Sequence, residues 1–222
     1  MKIGHKPYLV FLFVASLFLQ SCSDGPPVPN TRGVYMLLDT SGTYTKELDQ
    51  AQRVINYVLS QLDSGDAFAV ARVDTGSFSE KDIVAKETFT DQPSKANAQK
   101  RVFRDKIDKF VKTVQGSAYT DITGGILQGI EFLNEAGTGH NTILIFSDLK
   151  EELRKGYKRD IPLSVTNFSV VALNVTKLRS DNIDPREYLD RLEKWRLKVE
   201  SGGGEWRVIN DMARLEKILE RK

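Results

Sequence analysis

Asp39, Ser41 and Thr43 stand at alternate positions directly after the apolar run Val34-Tyr-Met-Leu-Leu. One carboxylate and two hydroxyls offer only hard oxygen ligands, and Gly42 between the hydroxyls lets the backbone turn tightly. From a strand end, this spacing can point all three groups at one spot, as a small divalent cation such as magnesium requires. Taken singly, each residue has a plainer reading. An aspartate after a strand is often a turn former, and Ser41 or Thr43 could simply cap the next helix. Two more residues give the set weight. Asp148 follows a second apolar run, Thr142–Phe146, and Thr120 lies in the polar loop Ser117–Thr123 just ahead of it. Thr120 and Asp121 could equally cap the helix that follows them.

The elements that must bring these residues together alternate in type. Gly33–Leu38, Ala67–Val73, Thr142–Phe146, Phe168–Val175 and Trp206–Ile209 read as short buried strands, with Ile83–Phe89 as an edge strand. Helical patterns separate them. Thr45–Leu62 places Leu48, Ala51, Ile55, Val58 and Leu62 on one face. A helix capped by Ser94 runs to about Val114 with Val102, Phe103, Ile107, Phe110 and Val114 inward. Gly125–Asn134 repeats Ile126, Leu127, Ile130 and Leu133. A long helix opens at Asp184-Pro185 with Leu189, Leu192, Trp195 and Val199 inward and ends at Ser201-Gly-Gly-Gly204. Asp211 caps a last helix with Met212, Leu215, Ile218 and Leu219 inward. The Lys150–Lys155 run reads as a solvated helix face. Apolar strands separated by amphipathic helices imply an α/β domain with an open, mostly parallel central sheet covered on both faces. In such sheets, sites form beyond the carboxyl ends of strands where the strand order reverses. Asp39 and Asp148 converge there if their strands are neighbours.

Composition bounds the function. The chain has 222 residues, 40% hydrophobic and 28% charged, which suits one globular domain after a leader. Of the 32 basic side chains, Lys2 and Lys6 fall in residues 1–21, leaving 30 against 30 acidic ones. This neutral balance argues against a nucleic-acid partner. No Gly-x-Gly-x-x-Gly or Walker loop is present, which removes the usual nucleotide readings. His5 lies in the leader and His140 ahead of a strand, and the only cysteine is Cys22, so a zinc or Cys/His catalytic centre is not expected.

The N-terminus pairs a basic start with an apolar block, Tyr8–Leu19, too short to span a bilayer comfortably. Leu19-Gln-Ser21-Cys22 resembles the lipobox of bacterial lipoproteins, although Gln20 is a less usual residue there. The resemblance implies cleavage before Cys22 and a lipid on its thiol. Residues 1–21 are then a signal peptide, 22–32 a proline-rich tether and 33–222 the domain. Ser23 after the cysteine implies outer-membrane sorting in a Gram-negative host, facing the periplasm.

The five-residue constellation resembles the metal-ion-dependent adhesion site of the von Willebrand factor A domain family, with its Asp-x-Ser-x-Ser, distant Thr and distant Asp after a strand. Asp39-Thr-Ser41-Gly-Thr43, Thr120 and Asp148 match, and the resemblance covers Gly33 to Lys222. Thr43 stands where serine is usual, and Leu149 follows Asp148 where glycine is commoner. The family implies that Ser41 and Thr43 bind Mg2+ directly, with Mn2+ as the near alternative. Thr120 would bind directly or through water, and Asp39 and Asp148 would hold coordinating waters. One open position takes an acidic residue from a protein partner. The expectation is therefore a non-enzymatic, lipid-anchored binding protein of the cell envelope. Two alternatives stand beside it. Leu-Leu-Asp39-Thr-Ser41-Gly-Thr43 also looks like the haloacid-dehalogenase phosphatase motif, with Asp39 as nucleophile, but Ser41 replaces that motif's general acid. A metal-free scaffold of the same fold is the third reading. Tyr44 and Tyr119 flank the site as partner contacts or local packing, and Trp195 and Trp206 read as core.

Overall fold

The computed structural model describes residues 29–41, 47–73, 79–178 and 180–219. Six strands form one sheet: β1 (Arg32–Asp39), β2 (Ala67–Val73), β3 (Ile83–Thr88), β4 (His140–Phe146), β5 (Phe168–Leu173) and β6 (Glu205–Ile209). Their spatial order is β3-β2-β1-β4-β5-β6. Every pairing is parallel except β2 with β3. The mixed polarity of β3 follows from its place at the edge, where only one neighbour has to be matched. From β1 the chain builds outward to β2 and β3. It then returns to the other side of β1 to lay down β4, β5 and β6. The strand order thus reverses between β1 and β4, and their carboxyl ends lie side by side, with Leu38 in register with Phe146.

Among the described residues, five α-helices cover the faces: α1 (Leu48–Gln61), α2 (Pro93–Thr113), α3 (Ile122–Ala136), α4 (Pro185–Glu200) and α5 (Met212–Leu219). Alternation along each strand divides the core in two. On one face Val34, Met36 and Leu38 of β1 pack with Ile55 and Val58 of α1, Phe103 and Ile107 of α2 and Leu215 of α5. On the other, Tyr35 and Leu37 meet Ile122, Ile126 and Leu133 of α3, and Trp195 and Val199 of α4. The α3 helix sits close to β1 because it presents Gly125 and Gly129. A Cβ at either position would fall 2.6 Å from Leu37 or Tyr35.

Several expectations change. Val102 is 54% exposed and Leu189 is 60% exposed. At about 100° per residue, Val102 lies roughly 100° around α2 from Phe103 and roughly 140° from Ile107, outside the buried arc. Leu189 similarly lies roughly 120° around α4 from Trp195. Gln92 occupies the N-cap of α2, with Pro93 at the first turn, so Ser94 already lies inside the helix. The third helix begins at Ile122, ahead of Gly125, because the Asp121 carboxylate accepts from the Gly124 N–H and starts it early. The Lys150–Lys155 run forms no helix. The Glu151 side chain and the Lys150 and Glu152 backbones are committed to the site loops described next. Trp195 is fully buried as expected, whereas Trp206 is partly buried. Among the described residues, no helix is long and apolar enough to cross a membrane. Cys22 and the leader lie outside the described residues.

Candidate metal centre

Asp39 is the last residue of β1 and is 1% exposed. Its Oδ1 accepts from the Ser41 N–H at 2.8 Å, closing a tight turn over the strand end. Its Oδ2 accepts from the Ser147 hydroxyl at 2.7 Å. Ser147 follows β4 and is fully buried, and its hydroxyl also accepts from the Leu149 N–H at 3.0 Å. Asp148, the next residue, is 5% exposed and uses the same device as Asp39, its Oδ1 accepting from Lys150 N–H at 2.9 Å. The two carboxylates thus lie close enough to repel one another just beyond the ends of adjacent parallel strands. Burial pushes the Asp148 carboxyl above its ordinary range. The Lys150 N–H hydrogen bond, Arg191 and Lys150 pull it down, while the neighbouring charge of Asp39 pushes it further up.

Backbone stitches bring the third loop to the same place. Ser41 and Ser117 form an isolated parallel bridge, with Ser117 N–H donating to the Thr40 carbonyl at 2.8 Å. Thr120 and Glu152 exchange both backbone hydrogen bonds, at 2.8 and 3.0 Å. Thr120 is 2% exposed, and its hydroxyl has no hydrogen-bond partner among the described residues. Asp148 Oδ2 likewise accepts no hydrogen bond among them. Unpartnered buried polar atoms cost free energy unless something else satisfies them. A buried hydroxyl and a half-satisfied carboxylate next to a second carboxylate fit a hard divalent cation. Among the described residues, no three His, Cys, Asp or Glu side chains group as a metal cluster, so the donor set leans on hydroxyls. Thr43, and Tyr44 beside it, lie outside the described residues. Backbone pairing therefore brings the segments that carry Asp39, Ser41, Thr120 and Asp148 together beyond the strand ends, with Tyr119, 37% exposed, beside Thr120.

Four supporting residues were not read from the sequence. Ser147 links the two carboxylate loops. Its signal was available in register, since it stands one residue beyond Phe146 just as Asp39 stands one beyond Leu38. Glu151 accepts from the Thr123 N–H and hydroxyl at 2.8 and 2.6 Å, tying the Asp148 loop to the start of α3. Arg159 reaches Asp121 at 2.7 Å from the far end of that loop. Arg191 donates to the Asp148 carbonyl at 2.8 Å.

No family model and no curated protein sequence matches the chain. Its fold does match solved structures. It superposes on a von Willebrand factor type A protein from Catenulispora acidiphila with a TM-score of 0.50, at 15% identity, covering 86% of this chain and 41% of that one. It superposes on the pilus adhesin SpaC from Lactobacillus rhamnosus GG, in its open conformation, with a TM-score of 0.51, at 10% identity, covering 88% and 29%. A weaker likeness, with a TM-score of 0.41 at 12% identity, covers 86% of this chain and 63% of a manganese-loaded TRAP protein from Plasmodium vivax. The chain thus spans less than half the length of the first two.

Proposed function

The chain has the fold of a von Willebrand factor A domain, and on that premise we propose that it is a binding module that grips a protein partner through a divalent cation. Ser41 and Thr43 would ligate Mg2+ or Mn2+ directly, with Thr120 completing the hydroxyl set. Asp39 and Asp148 would hold its waters and balance its charge. The cation supplies an electrophilic centre for an acidic side chain of the partner. The observation that carries this reading is the pairing of two buried carboxylates at the switch point with a buried Thr120 hydroxyl that has no partner among the described residues. The phosphatase alternative draws less support. Asp39 is 1% exposed and engages one oxygen with Ser41 N–H and the other with Ser147, an arrangement suited to orienting water rather than attacking phosphorus.

We further propose that a lipid on Cys22 holds this module to a bacterial cell envelope and, in a Gram-negative host, to the outer membrane facing the periplasm, a reading supported by the proline-rich tether and the Leu-Gln-Ser-Cys22 signal. Cys22→Ala would release it into the soluble fraction, read by fractionation and by the mass of the N-terminal peptide.

The deciding experiment is calorimetric titration of Mg2+ and Mn2+ into the wild type and Ser41→Ala, followed by capture from the native envelope with and without chelator. Saturable binding lost in Ser41→Ala, with a partner lost in parallel, is the expected result. Capture that ignores both chelator and mutation would leave the metal-free scaffold as the better reading.

A further inference from the structure

One face of α4 donates to the site loops at three consecutive contact points. Arg191 Nε donates to the Asp148 carbonyl at 2.8 Å, and Trp195 Nε1 donates to the next carbonyl, that of Leu149, at 2.9 Å. One turn further on, Lys198 Nζ donates to the Thr123 hydroxyl at 2.6 Å, and that hydroxyl donates to Glu151. The spacing i, i+4, i+7 sets these side chains in one row. The row grips a turn that needs gripping. Leu149 has φ +66°, a left-handed conformation that is strained for a non-glycine residue. Its side chain is nonetheless 1% exposed in the core. A strained turn persists only where its surroundings hold it.

Arg191 is itself held from behind. Its Nη1 and Nη2 donate to the two oxygens of Asp181 at 3.2 and 2.8 Å, and the Asp181 carboxylate is fully buried. Asp181 also accepts from the Leu178 N–H at 2.7 Å, which fixes the carboxylate to its own loop. A chain of contacts therefore runs from the Leu178 N–H and the Asp181 carboxylate, through Arg191, to the backbone of Asp148. Nothing in this chain touches the crevice with a ligand oxygen. Its effect is on where Asp148 points and on the charge behind it.

We propose that Arg191, backed by Asp181 and assisted by Trp195, is a positioning residue for the metal centre, fixing the Asp148–Leu149 turn so that the Asp148 carboxylate faces the cation. This rests on the divalent-cation reading above. Outer-shell partners of this kind change metal affinity by about 10- to 100-fold when removed. Titration of Mn2+ into the mature full-length chain provides the test, with melting in chelator recorded for every variant. Arg191→Gln weakens Mn2+ binding by about 10-fold or more. Asp181→Asn, which never approaches the crevice, produces a loss in the same direction and adds nothing to Arg191→Gln when the two are combined. Trp195→Phe keeps a smaller buried aromatic ring but loses the donor, and causes a smaller loss of affinity. Arg191→Lys retains the charge with fewer attachment points, and restores part of the affinity. Lower melting temperatures with unchanged Mn2+ affinity in Arg191→Gln and Asp181→Asn would overturn the proposal, because the row would then serve only the fold. Absence of Mn2+ and Mg2+ binding in the wild type would instead overturn the metal reading itself.

Discussion

At the base of the sheet, Asp66 is fully buried just before β2 and accepts from the Arg32 backbone N–H, from Arg32 Nε and Nη2, and from the Asp63 N–H, at 2.7 to 3.0 Å. Arg32 also reaches the carbonyls of Gln61 and Leu219, at the ends of α1 and α5. At the top of the same sheet, Asp39 and Asp148 are nearly as buried, yet each faces the other's charge. Only one oxygen of Asp148 accepts a hydrogen bond among the described residues. The base closes its charges into a paired network that clasps the start of β1, the loop before β2 and two helix ends. The top leaves its charges facing one another. A buried charge with a complete set of partners holds a fold together, whereas a buried charge lacking one is where the cation proposed above would bind.

The largest effect should come from breaking the base. Asp66→Ala removes the buried carboxylate partner of Arg32, leaving a 3.4 Å ion pair to the exposed Asp63, and should cost about 3–5 kcal/mol in denaturant unfolding. The proposed metal affinity per folded molecule should not change, since Arg32 and Asp39 stand at opposite ends of β1. A matching loss of metal affinity would mean that the ends are coupled and the comparison is wrong.

A smaller effect tests the strain at the top. Leu149→Gly relieves a left-handed backbone but removes a core side chain. Because the cavity outweighs the relief, a net loss of about 1–3 kcal/mol is expected. A gain in stability would show that the turn carries more strain than burial returns, and that α4 holds it against a steeper resistance.

The smallest effect has the opposite sign. Asp148 has a folded pKa raised above its ordinary 3.8, mainly by burial. Its contribution to stability is therefore greatest below pH 3.8 and is lost as pH rises through the raised value. Ionised Asp148 is thus a cost to the metal-free fold at neutral pH. Asp148→Asn, measured in chelator, should raise the melting temperature at pH 7, and that gain should fade as the pH drops below 3.8. The same variant should bind divalent cation poorly. A variant that melts lower than wild type at pH 7 would place Asp148 in the same class as Asp66.

The strand-end carboxylates were legible in the sequence because each follows an unbroken apolar run, and a buried parallel strand must end where the chain turns polar. Which face each β1 residue takes came from the structure, where Tyr35 and Leu37 pack on one side and Met36 and Leu38 on the other, as strand alternation requires. Helix faces were less secure. Val102 and Leu189 show that an apolar residue near the buried arc need not lie within it, since burial depends on what packs opposite. Thr43 lies outside the described residues, so the match of its hydroxyl to the others is carried by the sequence pattern alone.

The sequence by itself determined the strand–helix alternation, the two carboxylates at apolar strand ends and the hydroxyls near them, because these depend on local periodicity and on burial along a strand. Only the tertiary structure decided that β1 and β4 are neighbours, that Thr120 pairs with Glu152, and that Arg191, Trp195 and Lys198 face the site loops rather than solvent. Those contacts join residues from 32 to 108 positions apart, such as Thr120 to Glu152 and Asp39 to Ser147. A cationic or amphipathic side chain on a helix reads the same from sequence whether it ends in water or on a buried carbonyl. Its role is set by the element packed opposite.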